Sequence, residues 1–478
     1  MRAIFLSARD RLRAEFASRL ARDTLVVFFF SGFGRAVALG KEMLVAAFFG
    51  VGGLLDAYVL AFLIPSLLVN MFGASFASAL IPALGGASEK NGAGQAGGRL
   101  LGRALLAQAA LVALTALVLA LLPVQALRLL APLLTPERLA LVKAMQTTLL
   151  PLFLLGSLSQ TLAASVNYRG NFRGPALAST LNALATILVI ALLHSTLGIQ
   201  ALVAGVDAGA ALEFCILAWL LRRAWGGLFH RPTEPPNQTR QTHQTRPDRP
   251  GGPVARGQRG FLRALLRDWF MLALGASTLA VAAFVDNLIA STLGEGSVSA
   301  LSYAWKLPSG FATLLGLTLS TVLLPYFTGI VHHAPAGQLA LASRRIVKRL
   351  LLVCTPLAVA GALASPLLVA LLFQRGRFDA QAASLVSVVQ ACYFTQLPFY
   401  LLCIVTQRML QALSQFRFLL LLQTGLVLLN ALTSYIFSRA VGIAGIALSS
   451  TLMFALTAGI SLWAIRRQLH VRAQRTAA

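Results

Sequence analysis

Apolar residues run through this chain in about twelve stretches of roughly twenty residues, centred near residues 35, 69, 112, 154, 186, 212, 280, 314, 361, 397, 427 and 453. A hydrocarbon core about 30 Å thick needs about 20 helical residues to cross it. The pattern therefore predicts an all-α polytopic membrane protein with about twelve transmembrane helices. Runs two, four and eight to ten exceed that length, which predicts tilt or kinks in them. One long interruption stands out between Trp225 and Asp268, where eight arginines and six prolines lie among Thr, Gln and Gly. Such a segment buries too little apolar surface to fold, and it reads as a flexible connector between two six-helix halves.

That division gives five parts. Residues 1–23 form a basic interfacial segment, 24–224 a first six-helix bundle and 225–268 the connector. Residues 269–465 form a second six-helix bundle and 466–478 a basic tail. Phe5, Leu12, Phe16 and Leu20 mark one face of a helix suited to the membrane interface. The first 22 residues interleave arginine with Asp10 and Glu15, unlike a cleavable leader with its apolar core.

Composition agrees with this class: 57% of the 478 residues are hydrophobic and 12% charged. The formal net charge of +25 raises the question of nucleic acid, and the placement of the cations answers it. Arginines crowd the N-terminus, the connector, the segment with Arg344, Arg345, Lys348 and Arg349, and the C-terminus. All of these fall on one side if twelve spans are threaded in order. The other side holds only Arg128, Arg138, Lys143, Arg375, Arg377 and Arg439. The positive-inside rule then places both termini in the cytoplasm, with attraction to anionic lipid and no nucleic-acid partner. The four cysteines fall in apolar stretches without metal spacing and read as packing.

The halves repeat at an offset of about 245 residues. Pro65 precedes Pro82 by 17 positions, and Pro308 precedes Pro325 by the same interval. Pro151 stands nine residues before Gln160, and Pro398 nine before Gln407. Six spans per half make the repeat parallel, with an axis along the membrane normal. The expected architecture is two bundles around a central cavity, rocking to expose it to either side. Proline removes a helical hydrogen bond, so Pro65 and Pro308 are candidate hinges.

Charge inside the apolar runs points to the chemistry. Arg35, Lys41 and Glu42 interrupt the first run, Asp56 opens the second, Asp286 lies in the seventh and Lys306 in the eighth. An ionisable group at such depth costs about 2.5–3.5 kcal/mol on insertion scales and normally lines a cavity or a path. Arg35, Lys41 and Lys306 would offer a phosphate or pyrophosphate a cationic floor. Glu42, Asp56 and Asp286 read as charge partners or as ion-coupling sites. Internal pairing is the alternative: Arg35 with Glu42 or Asp286, and Lys306 with Asp56, as buried ion pairs. Asp207 and Glu213 in the sixth run are further acids at depth.

Several stretches carry a family resemblance. They are Phe49-Gly50 with Leu55-Asp56-Ala57-Tyr58 and Ile64-Pro65-Ser66-Leu67-Leu68; Asn167 to Phe172; Gly296-Ser297-Val298-Ser299 with Lys306-Leu307; and Leu372-Phe373-Gln374-Arg375-Gly376-Arg377-Phe378. Together they resemble the MurJ/MviN family of lipid II flippases, within the multidrug, oligosaccharidyl-lipid and polysaccharide exporter superfamily. The resemblance implies transfer of a polyprenyl-pyrophosphate-linked glycan from the inner to the outer leaflet. It places the family's cavity cations on Arg35, Lys41 and Lys306, and its acids on Glu42 and Asp56. Departures accompany it. Val69 and Asn70 stand where the family has arginines, Gly73-Ala74-Ser75 lacks its acid, Ser309 replaces another, and two further C-terminal helices find no counterpart. These departures leave a different lipid-linked repeat unit, for exopolysaccharide or O-antigen, as an alternative substrate.

Other classes remain as alternatives. A cation-coupled drug antiporter would need an acidic cavity, and a scaffold would act through the basic connector. A membrane enzyme would need clustered carboxylates in an aqueous loop, and the connections are too short. No G-x-x-x-x-G-K-[ST] loop occurs, so ATP is not expected as the direct energy source and no cofactor is expected. Coupling to the membrane potential, Na⁺ or H⁺ takes its place. The expected partners are the lipid-linked glycan, membrane lipids and enzymes of cell-envelope synthesis.

Overall fold

The computed structural model describes residues 32–91, 95–125, 128, 134–224, 258–333, 336–413 and 415–477, and the described residues are helical with no strand. The basic N-terminal segment and residues 225–257 of the connector lie outside them. Helix α1 covers residues 32–49. It is followed by α2 (Gly53–Val69), a π-turn (Asn70–Ala74), α3 (Ser75–Asn91) and α4 (Gln95–Leu121). Then come α5 (Pro136–Thr148), α6 (Leu150–Tyr168), α7 (Arg173–Leu197) and α8 (Gln200–Ala224). The second half holds α9 (Gln258–Ala290), α10 (Ser297–His333), α11 (Ala336–Phe373), α12 (Ala380–Thr395), α13 (Leu397–Ala412), α14 (Phe416–Val441) and α15 (Ile443–Ala477). Residues 258–268, read above as connector, are thus the first turns of α9, and the basic tail from Arg466 continues α15 as far as Ala477.

Eight helical segments are long and apolar enough to cross a membrane, and two bent pairs bring the number to ten. Helices α1 and α10 occupy the places of the first and eighth runs, which completes twelve. Helix α1 is the span that carries three charges. The second run is α2, the π-turn and α3 in continuous sequence, and the tenth is α12 and α13 broken at Gln396. The chain runs helically through Pro65 and through Pro308. Sharp bends lie elsewhere: 47° between α5 and α6, two residues before Pro151, and 41° within α9 between Gly275 and Ala280. Proline at the second position of α6 and of α13 explains both broken spans, since its missing N–H is harmless in a first helical turn.

The repeat shows in the hairpins that close each half. Helix α7 ends at Gly198 with φ +54° before α8, and α14 ends at Gly442 with φ +69° before α15. Glycine is the residue that takes a left-handed C-cap without a β-carbon clash.

The chain packs as two compact units. The first takes its described residues from Met1–Glu42, Pro65–Leu121 and Thr147–Ala276; the second from Met43–Ile64, Leu122–Gln146 and Ser277–Ala478. In the first unit Phe76, Leu80, Leu84, Leu101 and Leu217 form the core, with Phe72, Val112 and Phe153 beside them. In the second, Phe327, Leu401, Met409 and Leu410 form it. Lipid is as apolar as leucine, so close packing and polar contacts hold such helices together more than hydrophobic drive does. Leu363 at 78% and Leu421 at 74% exposure fit lipid-facing positions.

Candidate functional site

In the first unit, α1 lies close against α7: a β-carbon on Gly34 would come within 2.9 Å of the Thr180 hydroxyl. The next residue, Arg35, is exposed and forms no ion pair among the described residues. Lys41 instead pairs with its neighbour Glu42 at 3.2 Å, both half-buried. The alternative pairing of Arg35 with Glu42 is not formed among the described residues.

Above it in sequence, the π-turn opens the backbone of the second span, and neighbouring helices close it. Gln108 of α4 donates to the Phe72 carbonyl at 2.8 Å and to the Ser157 carbonyl at 3.0 Å. Trp269 of α9 donates its indole N–H to the Met71 carbonyl at 2.8 Å. Without water, each freed carbonyl needs such a partner. This segment holds Val69, Asn70 and Gly73 to Ser75, the positions where the sequence resemblance carries its departures, and neutral donors hold it.

Asp207 and Glu213 of α8 find separate uses. The Asp207 carboxylate accepts from the Leu152 amide at 3.0 Å, one of the donors exposed where α6 starts afresh after the bend. Glu213 accepts from Asn182 Nδ2 of α7 at 2.6 Å.

In the second unit, Asp56 is 5% exposed and spends both oxygens on the start of α10. Gly296 N–H donates to Oδ2 and Ser299 N–H to Oδ1, each at 2.7 Å. An anionic cap there satisfies two of the orphan amides of the helix and meets the positive end of its dipole. Around this cap three turns interlock. Arg138 pairs with Glu295 at 2.8 Å. Arg377 N–H donates to the Ala47 carbonyl at 2.9 Å. Gly376, with φ +58°, lies so close to Ala47 that a β-carbon has no room. Phe373 and Phe378, both fully buried, pack their rings 5.4 Å from that of Tyr303. The Leu372–Phe378 stretch singled out in the sequence is thus a corner of this interlock, buried at Phe373 and Phe378 and exposed from Gln374 to Arg377.

Asp286 of α9 is 7% exposed. Its Oδ1 accepts from Ser434 at 2.7 Å and Asn430 at 3.1 Å, and its Oδ2 from Ser450 at 3.4 Å. Ser449 joins Ser434 at 2.9 Å and Asn430 Oδ1 at 3.0 Å, so α14 and α15 close a network of neutral donors around one carboxylate. Asp286 and Asp56 form no ion pair among the described residues. Lys306 lies half-buried in α10, two turns beyond the Asp56 cap, and its carbonyl accepts from Ser309 at 2.9 Å.

Asn430, Ser434, Ser449, Ser450 and Gln108 were not anticipated. Asn430 and Ser434 are four apart on one face of a lipid-spanning helix, which was the available signal. No group of three or more His, Cys, Asp or Glu with metal-binding proximity occurs among the described residues.

Among the described residues, up to ten candidate spans, two further helices in the places of the remaining apolar runs, and charges at depth define a polytopic membrane protein. The profile of the lipid II flippase MurJ family matches residues 45–478, and the chain belongs to that family. It is 25% identical over 439 residues to the lipid II flippase MurJ of Burkholderia cenocepacia, covering 90% of this chain and 80% of that one. It is 26% identical over 481 residues to the probable lipid II flippase MurJ of a Synechocystis species, covering 96% and 83%. Among solved structures, lipid II flippase MurJ in an inward closed conformation superposes with a TM-score of 0.74 at 19% identity, over 94% of this chain and 90% of that one. An inward-facing multidrug resistance MATE transporter gives 0.69 at 14% identity, over 94% and 96%. These two likenesses establish the shared fold.

Proposed function

We propose that this protein moves a polyprenyl-pyrophosphate-linked glycan, with lipid II as the leading candidate, from the inner to the outer leaflet by alternating access. The observation that carries the reading is Arg35: a guanidinium within the first span, exposed and without an ion pair among the described residues, in a chain of the flippase family. Guanidinium binds phosphate oxygens in a bidentate fork. Lys41 and Lys306 supply further positive charge in this reading. Lysine is a point charge and tolerates a looser head-group geometry than arginine does.

The interlock around Asp56 serves as the closed gate on the side that the cation bias assigns to the outside. Its bonds are few and gather at one helix start, so it opens by releasing the first turn of α10. Net transport draws on the membrane potential or an ion gradient, with Asp286 as the coupling acid. Both termini are cytoplasmic, Pro65 and Pro308 let their spans flex, and membrane lipids and cell-envelope enzymes are the neighbours.

The test is reconstitution in sealed vesicles with fluorescent lipid II, followed by the fraction that an impermeant quencher reaches over time. Faster exposure than in empty vesicles, lost in Arg35→Ala, is expected. Equal rates with and without protein contradict the reading.

A further inference from the structure

Among the acids in the spans, half-buried Glu213 meets a single side-chain amide and holds neither a helix start nor a hydroxyl network. Asp56 caps α10, Asp286 sits in its hydroxyl and amide network, and Asp207 holds the restart of α6. Glu213 stands in the middle third of α8, and its hydrogen bond from Asn182 joins it to one neutral amide.

The seam that holds this pair is tight. Gly205 and Gly209 lie one turn apart on α8, and Gly209 has no space for a β-carbon against Asn182 and Thr186 of α7. Thr186 donates to the Asn182 carbonyl at 3.0 Å and lies 3.1 Å from that of Gly205, fixing the α7 backbone at that level. Asn182 thus meets Glu213 in a set geometry, one turn beyond Gly209.

Among the described residues no opposite charge pairs with the carboxylate. The titratable or charged groups on the helices packed against α8 are Arg173 and His194 of α7, Tyr168 of α6, Arg99 and Arg103 of α4, and Arg263, Arg267, Asp268 and Asp286 of α9, whose Arg259 has a side chain outside those described. Glu89 and Lys90 of α3 fall among side chains that are not described. Asp207, Cys215, Arg222 and Arg223 share α8 itself. Among the described residues none of these forms a hydrogen bond or ion pair with Glu213. A bare carboxylate at such depth is expensive, and one amide donor offsets part of that. A metal cation would need several more oxygens than this seam supplies, because Asn182 turns its N–H toward the acid. A proton needs one oxygen, and Oε1 is not engaged by Asn182.

We propose that Glu213 is a proton-binding site of the first unit, distinct from Asp286 in the second. Water on the open side delivers the proton, an O–H bond forms on Oε1, and the proton returns to water when the seam is next exposed. The two units then share one chemistry. Each holds a carboxylate against an asparagine from the first helix of its glycine-capped hairpin, Glu213 with Asn182 and Asp286 with Asn430.

Infrared difference titration of the full-length protein in nanodiscs tests this without requiring transport, so it is decided separately from the flippase reading. The wild type should show a protonated-acid C=O band that titrates, and Glu213→Gln should lose that band while Asp286→Asn keeps it. Asn182→Leu leaves Glu213 in place, which guards against a misfolded Gln variant. There the band should persist to higher pH than in the wild type, because the anion has lost its donor. Identical titrating bands in wild type and Glu213→Gln overturn the proposal, as does a band unmoved in Asn182→Leu.

Discussion

The carboxylate of Asp56 accepts the backbone amide of Ser299 at 2.7 Å, joining residues 243 positions apart in the sequence. With the Gly296 bond it pins the first turn of α10 to α2. Hydrogen bonds to a charged group contribute about 1.5–3 kcal/mol each. Asp56→Ala leaves two buried amides unpaired and should lower the thermal midpoint of the purified protein measurably. Asp56→Asn keeps one acceptor and should lose less. If both melt as the wild type does, the cap contributes nothing.

The proposed function assigns substrate contact to Arg35 in the first unit and, separately, to Lys306 in the second. Arg35→Ala and Lys306→Ala should each abolish complementation of a depleted host while reaching normal membrane abundance. Arg35→Lys should retain partial function, because charge survives and the bidentate fork does not. Wild-type growth in both alanine variants, measured alongside abundance, removes these residues from the site.

Asp286 tests the energy source. Asp286→Asn keeps an acceptor for Ser434 and Asn430 and removes the charge. In vesicles the variant should still exchange lipid between leaflets but lose any acceleration by an imposed potential or ion gradient. Moving one charge through 100 mV is worth about 2.3 kcal/mol, enough for roughly a 50-fold difference in distribution. A gradient response equal to that of the wild type places coupling elsewhere.

Gly376 stands at a left-handed φ of +58°, against the backbone of Ala47. Gly376→Ala adds backbone strain of about 1–2 kcal/mol and a clash with a carbonyl. It should loosen the interlock, seen as faster labelling of a cysteine placed at Ser299 by an impermeant maleimide. Unchanged labelling and melting would show that the turn yields freely.

Much of this fold is legible in the chain because membrane helices follow simple rules. Length and apolarity mark the spans, and the paired prolines mark the repeat that the Gly198 and Gly442 hairpins display. The bends were harder to read. Pro65 and Pro308 sit in helices that continue, whereas Pro151 follows a 47° bend, in a first helical turn where its missing N–H costs no bond. The acids were visible as costly residues, but their partners were not. Asp56 meets backbone amides, which no side-chain pattern reveals, and Asp286 meets serines and an asparagine that look like ordinary packing residues. The π-turn at Asn70–Ala74 had no signal in its sequence; it rests on Gln108 and Trp269, which are distant along the chain.

The central claim is carriage of a lipid-linked pyrophosphate glycan, and conditional depletion in the native host tests it most directly. Undecaprenyl-linked precursors would be extracted and identified as the protein declines. Accumulation of lipid II with lysis is the predicted result. Normal growth with no lipid-linked glycan accumulating would contradict the account.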